Sequence, residues 1–108
     1  MNAQDLQAED LLTGIREGMN VYDVSADRIG SVKHIQLNDE SDLVMQDVED
    51  RHLREAPEPL RMRLLRSGYI QISTGLLTRN RYATPDQIRY VTRDGVYLDA
   101  FYGELTAL

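Results

Sequence analysis

Between positions 18 and 37 the sequence reads GMNVYDVSADRIGSVKHIQL, and no other stretch limits the fold as much. Val21, Tyr22 and Val24 favour a strand, and Ser25-Ala26-Asp27 supplies a hydrogen-bonding turn before a second β-branched run, so the stretch predicts a hairpin. The second run keeps no single phase: Val32 alternates with His34 and Gln36, whereas Ile35 and Leu37 fall in step with Lys33 and Ser31. Such a strand must bend. Gly30 marks the bulge or corner that turns Ile29, and then Val32 and Ile35, inward. Strands that turn corners build small barrels. The expected fold is therefore mainly β, a small twisted antiparallel β-barrel with a short helical insert over about residues 58–66.

A chain of 108 residues holds one core, so residues 18–108 read as a single domain preceded by an N-terminal arm, residues 1–17. The net charge of −6 gives no footing for a general nucleic-acid binder. Cysteine is absent, which excludes disulfides, thiolate chemistry and cysteine-based metal sites. No cofactor is expected. No apolar run approaches the roughly 18 residues that cross a bilayer, and the start, MNAQDLQAEDLL, is acidic where a signal peptide is basic. A cytoplasmic location without membrane insertion follows as the expectation. Charge is divided unevenly: residues 1–50 hold three basic against twelve acidic side chains, and residues 51–108 hold nine against six. Eleven of the twelve basic residues are arginine, suited to planar hydrogen bonding with carboxylates.

Within the arm, Leu6, Leu11, Leu12 and Ile15 are half-helically spaced and have no obvious place in a barrel. Asn38, Asp39, Glu40 and Asp42 form an acidic turn, with a short strand expected over 43–46. Calcium loops alternate ligands around a glycine, and none lies between Gly30 and Gly68. Asp39, Asp42, Asp47, Glu49, Asp50 and His52 therefore read as a solvated loop, not a metal site. Glu58 and Pro59 open a helix of about two turns, in which Leu60 and Leu64 share a face, Leu65 widens it, and Gly68 closes it in the left-handed conformation. This helix is expected to cover one mouth of the barrel.

Residues 69–74, YIQIST, alternate, placing Ile70 and Ile72 inward and Tyr69, Gln71 and Ser73 on a wet face. Thr84-Pro85-Asp86-Gln87 reads as a cap and one short turn. Asp94-Gly95 is the strongest hairpin signal, with Gly95 expected at positive φ, and the tail ELTAL has little to hold it. The expected core is Val21, Val24, Ile29, Val32, Ile35, Ile70, Ile72, Ile88, Val91, Val96 and Leu98.

GMNVYDVSADRIGSVKHIQL, YIQISTGLLTRNRYATPDQIRYV and DGVYLDA, in that order, resemble the PRC-barrel domains, and most closely their bacterial subgroup DUF2171. The resemblance spans residue 18 to about residue 100, and PEPLRMRLLRSGYI looks like that subgroup's helical insert. It implies a PRC-type barrel used as a protein-interaction module. Similar domains occur in the photosynthetic reaction centre H subunit and in a ribosome maturation factor. This chain departs from the first in having no membrane helix and from the second in lacking its N-terminal domain.

Two histidines leave little for catalysis: His34, or His52 with Asp50, could act as an acid–base group only beside a nucleophile that no pattern names. The expected function is a non-catalytic protein-interaction or assembly module, self-associating as a dimer through an exposed strand edge together with the arm or the helix at 60–65. Leu60, Arg61, Arg63, Leu64, Arg66, Arg79 and Arg81 form the candidate interaction surface. Six tyrosines among seven aromatic residues add amphipathic area suited to such a surface. The alternative is an RNA- or ribosome-linked accessory factor that uses the arginine-rich face, against which the acidic total weighs; an enzyme is the least favoured class.

Overall fold

The computed structural model describes residues 8–37, 51–75 and 78–108. Leu6, the acidic stretch 38–50 with the strand expected over 43–46, and the pairing of His52 with Asp50 lie outside the described residues. In chain order the helices and strands are α1 (Ala8–Thr13), β1 (Asn20–Tyr22), β2 (Arg28–Gln36), α2 (Arg51–Arg54), α3 (Glu58–Ser67), β3 (Tyr69–Ser73), β4 (Arg81–Ala83), β5 (Ile88–Val91), β6 (Gly95–Leu98) and β7 (Thr106–Ala107). Two 3-10 turns, Pro85–Gln87 and Tyr102–Glu104, lead into β5 and β7.

The strands form one sheet in the order β5-β6-β1-β2-β3-β4-β7. The mainly-β expectation holds, but in place of the expected antiparallel barrel the strands make a mixed, open sheet. β1 runs parallel to β6, pairing Asn20 with Gly95, Val21 with Val96 and Tyr22 with Tyr97, and β5 and β7 are the two ends of an open sheet. End strands of four and two residues are too short for a closing ladder. At the β5 end a helix takes over instead, because α1 lies against β5 and the turn Pro85–Gln87 and sends Leu12 into the core.

The hairpin forms as its composition requires. Asp23 Oδ1 accepts hydrogen bonds from the Ser25 amide (2.9 Å), the Ser25 hydroxyl (2.6 Å) and the Asp27 amide (3.2 Å), and Ala26 takes a φ of 69°. Two bulges then resolve the mixed phase of β2. Val21 opposes Gly30 and Tyr22 opposes Arg28, leaving Ile29 as an extra residue, and Lys33 is skipped between the pairs Val32–Ile72 and His34–Gln71. Each bulge resets the alternation, so Val32 is buried and Ile29 and Ile35 pack against the same core. Gly30 is required by contact, not by φ: a Cβ there would stand 2.2 Å from the Ser73 carbonyl oxygen.

Two apolar cores sit on opposite faces of the sheet. The larger joins Val21, Val32, Ile70, Ile72, Ile88, Val96 and Leu98, as expected, to Leu12, Ile15, Ala83, Ala100 and Leu105. Val24 is half-buried and outside it. The arm is thus no loose appendage, since Leu12 and Ile15 had their place in this core. The second core consists of Leu53, Leu64, Leu65, Tyr69 and Tyr82, with α3 laid over the outer face of β3 and β4. That corrects the wet side expected for residues 69–74: Tyr69 and Gln71 are buried, because α3 covers a sheet face and not a barrel mouth.

Three further expectations change. Gly68 has φ 76° but ψ 166°, so it is no left-handed cap; it swings the chain from α3 straight into β3. Gly95 is not among the positive-φ glycines, because the turn is centred on Arg93-Asp94 and Gly95 already belongs to β6; a Cβ there would lie 2.6 Å from the Asn20 carbonyl oxygen. The tail is held: Leu105 is buried and β7 pairs with β4 through Tyr82–Thr106 and Arg81–Ala107. Thr84-Pro85-Asp86-Gln87 forms the expected short turn, in which the Thr84 amide donates to Gln87 Oε1 at 3.1 Å and the Gln87 amide donates to the Thr84 carbonyl at 2.8 Å.

Truncation of Ile70 to Ala should cost about 2–5 kcal/mol through lost transfer energy and the cavity left behind, read as a lower urea midpoint. The Asp23 carboxyl is held below the usual carboxylate range, chiefly by the Ser25 hydroxyl and then by the amides of Asp27, Ser25 and Tyr102, against an opposing effect of burial. Asp23→Ala should therefore lose about 0.5–2 kcal/mol near neutral pH, the range of a lost side-chain cap. The stabilisation from Asp23 is complete above the ordinary carboxyl value of about 4 and fades as pH falls through the lower native value. Denaturation curves of the two proteins should consequently converge toward acid pH.

Candidate functional site

β1, β6 and β5 each place a valine beside a tyrosine: Val21-Tyr22, Val96-Tyr97 and Tyr90-Val91. Strand alternation sends the valines to the larger core and the tyrosines to the opposite face. The register sets Tyr97 directly across from Tyr22 on one side and Tyr90 on the other. The rings consequently stack. Tyr22 and Tyr97 have centroids 4.6 Å apart and planes 12° from parallel, and Tyr97 and Tyr90 are 4.7 Å and 18° apart. Those separations match the strand spacing of about 4.8 Å, so the sheet itself dictates the stack.

Tyr90 is 46% exposed and forms the outer end of the stack, while Tyr22 and Tyr97 are half-buried. The Tyr97 phenol is pushed above its ordinary value, first by burial and then by Tyr22, Tyr90 and Asp94. The rim carries both signs of charge. Arg28 donates through Nε to Asn20 Oδ1 at 2.8 Å, Arg89 pairs with Asp99 at 2.9 Å, and Arg93 and Asp94 are exposed in the turn between β5 and β6.

The residues singled out from the sequence are dispersed among other tasks. Leu64 is buried in the second core and Leu60 packs at its margin. Arg61 Nη1 donates to the carbonyls of Ala56 (2.9 Å) and Arg54 (3.4 Å), fastening α3 to the segment before it. Arg81 Nη1 donates to the Leu105 carbonyl at 3.0 Å, with its guanidinium 4.4 Å from the centre of the Tyr102 ring. Arg63, Arg66 and Arg79 are exposed. His34 is half-buried, its ring 6.4 Å from that of Tyr69.

The sequence marks each tyrosine of the stack only as the neighbour of a core valine. Their assembly depends on the parallel pairing of β1 with β6, which local pattern does not encode. Compared with known proteins, the chain matches no family model, no curated protein and no solved structure. No described helix is long and apolar enough to cross a membrane.

Double-mutant cycles with Tyr→Leu changes at Tyr22 and Tyr97, and at Tyr97 and Tyr90, should each give a coupling of about 0.5–1.5 kcal/mol, as stacked aromatic pairs do. Couplings near zero would mean that the rings merely share a surface.

Proposed function

We propose that the chain is a non-catalytic protein-interaction module of the PRC-barrel kind, working in the cytoplasm and self-associating as a dimer through the stack of Tyr22, Tyr97 and Tyr90. The observation that carries the reading is the partly exposed row of three near-parallel rings on the sheet face opposite the larger core. Tyrosine combines apolar area with a polar tip and loses little side-chain entropy on burial, which suits a face that is alternately wet and covered. The mixed rim of Arg28, Arg93 and Asp94 suits a two-fold contact, in which Asp94 of each copy can meet an arginine of the other. A strongly basic or strongly acidic partner finds no such match.

This face replaces the strand edge as the preferred contact. β5 carries a bulge at Arg89 and has α1 beside it, and β7 is only two residues long; bulged and short edges resist strand addition. Leu12 and Ile15 are occupied in their own core, so deleting the arm would test folding before it tested assembly. An RNA-linked role is less favoured, because Arg61 and Arg81 are engaged on backbone carbonyls.

Sedimentation at tens of micromolar should show a dimer burying on the order of 1,200–2,000 Å² in total. Tyr90→Glu should shift it to monomer with an unchanged circular dichroism spectrum. A wild-type monomer at low and moderate salt would overturn self-association and leave an adaptor for a different protein.

A further inference from the structure

A polar cleft of about 320 Å³ lies between α3, the turn Pro85–Gln87 and the C-terminal strand, away from the tyrosine stack. Arg63 and Ser67 line it from α3, Asp86 and Gln87 from the turn, and Glu104 and Thr106 from the chain end. Its volume is at the low end of the range of small-molecule sites, about 300–1,000 Å³. Most of its polar groups retain unused capacity. Asp86 accepts the Thr84 hydroxyl on Oδ1 and Glu104 accepts the Phe101 amide on Oε1, and the second oxygen of each carboxylate has no hydrogen bond among the described residues. Gln87 uses its carbonyl on Thr84 and keeps its amide N–H groups. Arg63 makes no hydrogen bond or ion pair among the described residues, although two carboxylates line the same cleft.

Arg63, Asp86 and Glu104 are exposed and share this cleft without pairing, an arrangement that suits a ligand carrying both charges. We propose that the cleft binds a free α-amino acid, its carboxylate on Arg63 and its ammonium group between Asp86 and Glu104. Planar guanidinium fits a carboxylate with two parallel hydrogen bonds, and an ammonium donates three, enough for both carboxylates. The lining sums to one negative charge, so lysine binds more tightly than alanine, and alanine more tightly than glutamate.

Amide shifts in a nitrogen–proton correlation spectrum, followed during titration of lysine, alanine and glutamate at constant ionic strength, test this. Saturable shifts at Ser67, Asp86, Glu104 and Thr106 are expected in that order of affinity, with acetate and methylammonium each failing to reproduce them. Arg63→Gln, and separately the pair Asp86→Asn with Glu104→Gln, should weaken alanine binding about tenfold or more. The amide oxygens of Asn and Gln still accept from Thr84 and Phe101, so the fold is kept. No saturation with any amino acid, equal binding by acetate, or unchanged affinity in Arg63→Gln would overturn the proposal.

Discussion

Strand β3 is covered on both faces, and the two cores meet through it. Ile70 and Ile72 enter the larger core, while Tyr69 and Gln71 lie under α3. A strand so placed exposes no side-chain face to water, so every polar group on it needs an internal partner. Gln71 meets that need by donating to the Tyr82 hydroxyl at 3.1 Å, within a cluster in which the Tyr69 and Tyr82 rings sit 5.4 Å apart at 60°. α3 is delivered to this position by Gly68 alone, whose φ of 76° turns the helix into the strand without a loop. A short connection fixes direction as well as distance, which is why Leu64 and Leu65, in the last turn and a half, are the helix residues that bury.

Two backbone approaches hold the rest of the sheet to this centre. Gly30 admits the Ser73 carbonyl where β2 crosses the end of β3, and Gly95 admits the Asn20 carbonyl where β6 lies along β1. Both glycines serve by lacking a side chain, not by unusual torsion angles. With bulges at Ile29, Lys33 and Arg89 as well, the sheet bends around the larger core while its ends stay apart.

What could be read from the sequence was local. The mixed phase of β2 forecast a bend, Thr84 to Gln87 forecast the capped turn, and Glu58 with Pro59 forecast the helix start. In each case the deciding groups are within a few residues of one another. Alternation at Tyr69 and Gln71 marks a second face but does not say whether it is wet, because period two counts faces and is silent about what covers them. The parallel pairing of β1 with β6 joins residues more than seventy positions apart, as Val21 and Val96 show. The burial of Leu12 and the pairing of Thr106 with Tyr82 are likewise long-range, and no local propensity ranks them above their alternatives. The tyrosine stack stayed hidden for the same reason, since its three members come from three strands.

The stack also limits the kind of contact it can make. Its rings spend most of their flat faces on one another, leaving ring edges, hydroxyl tips and the outer face of Tyr90 for a partner. Side chains already held in place lose little freedom on binding, which lowers the ordering cost of a contact. The apolar area still available is correspondingly small, and the charged groups around it, Arg28, Arg93 and the Arg89–Asp99 pair, remain in water where each contributes little. For the proposed dimer, low cost set against modest gain would favour a contact that assembles and separates with concentration over an obligate dimer built by fusing apolar cores. The interior is consistent with that reading, since both cores are built from buried side chains of the described part of this one chain.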